Sequence, residues 1–137
     1  MTVSIGLTGD VMLGRKVDEH RRADPPETVG GDLPPLLRSL DGLLVNLECS
    51  LSTRGTRWTR THRPFHFRAD PTWAVPALET VGVGWACLAN NHLLDFGAVA
   101  LEDTLTSLDV AGIPHAGAGA DERAAFEFLT PIFTEER

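Results

Sequence analysis

The chain lacks any apolar run near the eighteen or so residues that a membrane-spanning helix needs, and its start leads into a strand-like run rather than a basic segment followed by an apolar one. It is also poor in positive charge: 12 Lys and Arg stand against 19 Asp and Glu, a formal charge of −7 with a pI near 5.1. Nonspecific binding to DNA or RNA rests on phosphate neutralisation by basic residues, so no nucleic-acid partner is expected. Cysteine is scarce. Cys49 and Cys87 lie far apart, form no CxxC pair and each sits in or beside an apolar run, the setting of buried reduced thiols. Nothing here demands an oxidising compartment, and the expected location is cytoplasmic as given, with membrane association through a further segment left open. Three nucleotide and nucleophile signatures are missing as well. Gly82 and Gly84 do not complete GxGxxG because Cys87 stands at the third glycine, and neither GxxxxGK[ST] nor GxSxG occurs.

What is present is an ordinary folded composition. With 137 residues, 42% apolar and 23% charged, the chain has enough apolar content for one domain with a core and no biased tract that would favour disorder. Three short apolar runs end in turn-forming or polar residues: Val3 to Thr8 closing on Gly9-Asp10, Leu43 to Leu47 closing on Glu48, and Val83 to Ala89 closing on Asn90-Asn91-His92. Helix-like segments lie between and after them. Leu33 to Leu40 carries prolines at its start, Pro71 to Val81 follows Asp70 as N-cap and stops at Gly82, and Val99, Leu101, Leu105 and Leu108 share a face before Gly112. A weaker strand at Pro114 to Ala116, a short helix at Asp121 to Phe126 and a last apolar run at Phe128 to Phe133 complete the reading. Ser50 to about Pro64 reads as a turn-rich loop. Strands alternating with helices predict an α/β fold of β-α units on a mostly parallel sheet, with the ligand crevice outside the carboxyl ends of the strands.

That rule points to the three strand ends. Asp10, Glu48, and Asn91 with His92 converge on one edge if their strands are parallel neighbours. Two carboxylates, an amide oxygen and an imidazole suit Mg²⁺ or Mn²⁺, and less decisively Zn²⁺ or Ca²⁺. Taken singly each has a plainer reading: a turn aspartate, a solvated loop acid, turn asparagines, a structural histidine, and Asp95 as cap of the helix near Gly97. A second signal is the run of Arg54, Arg57, Arg60, Arg63 and Arg68, with His62 and His66 and no acid between. It reads either as a solvated flexible loop or as an anion-attracting rim beside the metal edge.

The motifs Gly9-Asp10-Val11-Met12-Leu13-Gly14-Arg15, Asn46-Leu47-Glu48, Phe67-Arg68-Ala69-Asp70-Pro71, Ala89-Asn90-Asn91-His92-Leu93-Leu94-Asp95-Phe96-Gly97 and Ala116-Gly117-Ala118-Gly119 together resemble the bacterial capsule-synthesis proteins of the CapA type, associated with poly-γ-glutamate capsule formation. Their fold is similar to the calcineurin-like metallophosphoesterases, so the resemblance implies part of that α/β sandwich. It implies Asp10, Glu48 and Asn91 as ligands of a divalent metal, Mn or Mg with Zn or Fe open. It implies His92 as general acid or charge stabiliser beside the substrate, Asp95 orienting it or capping the next helix, and Arg15 and Arg68 binding an anionic substrate, phosphorylated or polyglutamate-like. In the phosphoesterases a histidine usually stands two residues after the first aspartate; here Met12 does, which leaves one metal position altered or empty. Family members are about twice as long, and their later segments supply further histidines, whereas none follows His115 here. Residues 1–137 are therefore expected to be the incomplete N-terminal portion of such a domain. The competing expectation is a noncatalytic module that self-associates or assembles with a partner chain.

Overall fold

The computed structural model describes residues 2–127. In chain order its elements are β1 (Ile5–Val11), α1 (Lys16–Arg21), α2 (Pro34–Arg38), β2 (Gly42–Leu47), β3 (Ser50–Leu51), β4 (Arg68–Ala69), α3 (Pro71–Val81), β5 (Trp85–Cys87), α4 (Ala98–Val110), β6 (His115–Ala116) and α5 (Glu122–Phe126). Four strands form one sheet in the order β1-β2-β5-β6, and every neighbouring pair is parallel. The α/β class and the alternating units expected from the sequence are therefore present. The apolar run Phe128 to Phe133 lies outside the described residues. No helix among the described residues is long and apolar enough to cross a membrane.

Local chemistry explains the elements that the sequence announces. Asp70 accepts the Thr72 amide at 2.9 Å and opens α3, with Pro71 in its first turn, where a missing N–H costs nothing. Gly82, at φ 80°, closes the helix in the left-handed region. In β2 burial alternates, so Leu43, Val45 and Leu47 enter the core at 1%, 3% and 0% exposure while Asn46 faces the other way. Leu51, Leu88 and Leu108 are equally inaccessible, and full burial of each such side chain stabilises by about 2 kcal/mol.

The first strand differs from the expected Val3 to Thr8 in a way that matters. It runs on through Gly9 and Asp10 to Val11, with a register irregularity between Leu7 and Asp10. Gly9 occupies that irregularity at φ 70°, a conformation open to glycine, and the strand resumes pairing beyond it. Asp10 consequently stands within β1, directly opposite Asn46, and not in a turn after it.

Three features were not announced. Lys16–Arg21 holds one apolar residue, Val17, too little to show a helical period. Ser50–Leu51 and Arg68–Ala69 pair as a two-residue parallel ladder at the two ends of the supposed loop. Of the two thiols expected to be buried, Cys49 is, and burial pushes its pKa up to about 12, whereas Cys87 departs from that expectation and is half-buried.

Candidate functional site

Because β1, β2 and β5 are parallel neighbours, their carboxyl ends bring Asp10, Glu48 and the Asn90–His92 turn together. The connecting residue is Asn46. Its Nδ2 donates to Asp10 Oδ1 at 2.8 Å and to Glu48 Oε2 at 2.5 Å. Its Oδ1 accepts from Asn90 Nδ2 at 3.1 Å, and the same Asn90 amide donates to the Leu47 carbonyl at 2.9 Å. Asn90 Oδ1 in turn accepts the His92 amide at 3.0 Å, fixing the turn that carries the imidazole. One amide thus holds two like charges side by side, an arrangement that repels unless a donor or cation stands between them.

His92 is held from both sides. Its Nδ1 lies 2.5 Å from Asp95 Oδ2, and its ring stacks on Phe67 at 4.0 Å between centroids. Asp95 is fully buried and also accepts from Arg63 Nη1 at 3.0 Å and from the Phe67 amide at 2.9 Å. An ionised carboxylate only accepts, so His92 Nδ1 carries the proton and Nε2 is left facing Glu48, whose Oε1 lies 3.8 Å away. That distance is too long for a hydrogen bond. Gly97 is the N-cap of α4 and no side chain caps that helix; the Asp95 carboxylate instead meets His92, Arg63 and the Phe67 amide.

The remaining residues singled out from the sequence fall beside this row. Asn91 is exposed; its backbone carbonyl accepts from Arg63 Nη1 at 2.5 Å. Met12 turns its Sδ to the Gly14 amide at 3.1 Å, so the residue in the place of the usual histidine serves the local turn. Arg15 and Arg68 lie over aromatic rings, Phe65 and Phe96, at 4.9 and 4.0 Å from guanidinium carbon to centroid. Among the described residues, no three or more His, Cys, Asp or Glu side chains gather into a group able to hold a metal ion.

Sequence reasoning missed Asn46 and Asn90 as parts of the site. Asn46 could have been noticed as the single amide in the apolar run Leu43 to Leu47, whereas Asn90 carries no signal separating it from Asn91. It also read the arginine segment as a loop, and the structure ties that loop down. Ser52 Oγ and Arg54 both donate to Asp103, at 2.6 Å and, through Nε, 3.0 Å. The Arg54 and Ser52 hydrogen bonds hold the Asp103 carboxyl below the usual carboxylate range. Trp58 donates its amide to the Asp95 carbonyl at 2.8 Å, and His66 Nε2 lies 3.0 Å from the Trp58 carbonyl.

The sequence matches the profile of the family described as bacterial capsule synthesis protein PGA_cap over residues 4–133. It is 36% identical to a Mycobacterium tuberculosis protein named "Probable polyglutamine synthesis accessory protein", over 90% of this chain and 40% of that one. It is 27% identical to the capsule biosynthesis protein CapA of Bacillus anthracis, over 85% of this chain and 28% of that one. With the PGA biosynthesis protein CapA of Bacillus subtilis it shares 22% identity, over 95% and 35% respectively. The chain therefore spans 28% to 40% of the length of these curated relatives.

Proposed function

Because the chain belongs to the family of bacterial capsule synthesis proteins, we propose that it serves capsule or polyglutamate synthesis through a divalent-metal, phosphoesterase-type site at the carboxyl edge of its sheet. Asp10, Glu48 and Asn91 would hold the ion. The donor set fits: hard oxygens favour Mn or Mg, with Zn or Fe open, and neither carboxylate has an arginine or lysine paired with it among the described residues, the His92 imidazole being the one ring near Glu48. The observation that carries this reading is the Asn46 amide lying between Asp10 and Glu48, at 2.8 and 2.5 Å, with His92 Nε2 only 3.8 Å from Glu48. A divalent ion, when bound, supplies Lewis-acid polarisation of the substrate's oxyanion. The chain's own residues would do the rest. Asp95 fixes the His92 tautomer, the Phe67 ring fixes its plane, and Nε2 is the atom free to carry a proton to or from substrate. Arg15 and Arg68 would attract the anionic substrate.

Calorimetric titration of the folded chain with Mn²⁺ and Mg²⁺ is expected to give binding that Asp10→Ala weakens at least tenfold, in line with the loss of one of two carboxylate ligands. No binding to the folded chain, or equal binding by Asp10→Ala, would sink the metal reading.

A second reading, a noncatalytic module completed by another chain or by a second copy of itself, is favoured by β1. Among the described residues this strand pairs with β2 alone, and Val3, Ile5 and Leu7 stay 61%, 39% and 76% exposed around it. A bare strand edge beside apolar side chains favours association. Light scattering after size exclusion is expected to give a mass above that of one chain; a stable monomer would remove the support for this reading.

A further inference from the structure

Arg15 and α1 on one side and the arginine segment on the other line a cavity of about 490 Å³, which shares Phe65 with the hollow that His92 lines. Arg15, Lys16, Arg57 and Arg68 line it, with Phe65 and Phe96 among its apolar walls. None of these four cations pairs with a carboxylate among the described residues. Arg22 also reaches the wall, but it is spent on Asp18, which in addition accepts from Trp73 Nε1 at 2.6 Å and the Asp70 amide at 2.9 Å. Glu19 is the one lining acid outside that arrangement. In a chain of charge −7, four unpaired cations around one hollow is the reverse of what average composition would place there.

Their geometry suits a ligand. Arg15 and Arg68 lie over Phe65 and Phe96, which fixes each guanidinium plane and leaves N–H groups along its edge to donate. Arg68 is further aimed by donating Nη1 to the Arg54 carbonyl at 2.7 Å. Arg15 holds φ 55° and ψ −128°, and it is the one non-glycine residue with positive φ among the described residues. Such a conformation costs on the order of 1 kcal/mol or more and persists only where the surroundings impose it. A continuous stack joins this cavity to the row described above: Arg15 over Phe65, Phe65 on Phe67 at 6.2 Å, and Phe67 on His92 at 4.0 Å.

We propose that this cavity is a second anion subsite, holding one charged group of an extended oligoanion whose neighbouring group reaches the His92 row. The ligand chemistry is a flexible chain bearing several carboxylates or phosphates, because the Phe65 and Phe67 rings stand between Arg15 and His92 and a single small oxyanion could not meet both. The aromatic walls would contact the uncharged stretches between those groups. The subsite rests on the proposed function for the group at His92 and for the role of Arg15 and Arg68 toward an anionic substrate; its own binding needs no metal.

Calorimetry on the 137-residue chain without added metal tests this, using hexaglutamate, tripolyphosphate and inorganic phosphate as probes. At least one oligoanion is expected to bind at least tenfold more tightly than inorganic phosphate and to weaken severalfold as salt rises from about 50 to 200 mM. A preference for hexaglutamate identifies carboxylates as the source, and a preference for tripolyphosphate identifies phosphates. Arg15→Gly removes a cation while relieving the positive φ, so it is expected to fold with an unchanged melting temperature and to lose about tenfold in oligoanion affinity. Arg57→Ala, at an exposed position, is expected to lose a similar factor. Arg123→Ala, which removes an exposed cation of α5 that does not line the cavity, is expected to leave oligoanion binding intact. No oligoanion binding, equal affinity for inorganic phosphate, or unchanged affinity in the Arg15→Gly, Arg57→Ala double variant each overturns the subsite. Failure of the metal titration alone leaves it standing.

Discussion

Replacing Asp95 by alanine is expected to lower the melting temperature by roughly 10 °C, the shift that about 3 kcal/mol produces in a domain of this size. The Asp95 side chain is fully buried and accepts from Arg63, the Phe67 amide and His92 at 3.0, 2.9 and 2.5 Å. Alanine strands all three donors. Breaking a buried pair commonly costs 3 to 5 kcal/mol, and the lower end applies because the Arg63 side chain is still 30% exposed and can reach water. Asparagine is the sharper probe. One of its two polar atoms must be a donor, and every neighbour at that position is itself a donor. If the amide nitrogen turns to His92, it forces the proton from Nδ1 to Nε2; if it turns to Arg63, it faces a guanidinium. Asp95→Asn is therefore expected to cost about half as much stability as alanine, with the ring ¹⁵N shifts of His92 reporting the tautomer. Thermal melts followed by circular dichroism measure the first effect. An alanine variant melting within about 2 °C of the parent would mean that Asp95 does not hold this turn in place.

Those contacts show why only part of the site was legible beforehand. α3 could be read because its signals are local: Asp70 and Pro71 at one end and Gly82 at the other act within a turn of the residues they organise. The ends of β2 and β5 were legible for the same reason, each apolar run ceasing at a polar residue, whereas β1 runs past the expected stop at Thr8 to Val11. Their meeting at one edge needed only the rule that parallel strands align their carboxyl ends, and the order β1-β2-β5 satisfies it. The bridge by Asn46 was not legible. It depends on Asp10 standing opposite Asn46, and that register follows from the irregularity at Gly9, which no periodicity announces. The arginine segment misled in the opposite direction. Its composition is that of a solvated loop, yet its anchors are Asp103 and Asp95, residues 49 and 37 positions away from Arg54 and Trp58. Contacts of such separation leave no trace in a window of neighbouring residues. The same holds for Arg15 and Arg68, which stand 53 positions apart and line one cavity.

The tightness of that loop leads to the other large effect, Gly55→Ala. Gly55 holds φ +86°, and a Cβ there would lie 2.1 Å from the Phe96 carbonyl oxygen. A contact of that length cannot be absorbed by a side-chain rotation, because the obstacle is backbone. The loop must move by roughly 1 Å, and it has little room to do so, since close-packed structure yields poorly. On one side Arg54 is fixed to Asp103 and on the other Trp58 to the Asp95 carbonyl, at 3.0 and 2.8 Å. Arg68 Nη1, which donates to both the Arg54 and Gly55 carbonyls, at 2.7 and 3.3 Å, would lose at least one of them. Adding the cost of alanine at positive φ, about 1 to 2 kcal/mol, gives an expected loss near 3 kcal/mol. Gly31→Ala is the matched control: φ is +57° there, and nothing lies within 4 Å of the added carbon. It carries the backbone strain without the collision, so the difference between the two variants isolates the collision. Hydrogen exchange should then quicken in residues 52 to 68 and around His92 while α4 keeps its protection. If both variants lose equal stability, the close approach of Gly55 to Phe96 does not constrain the loop, and the arginine segment would be free to move independently of the turn that carries His92.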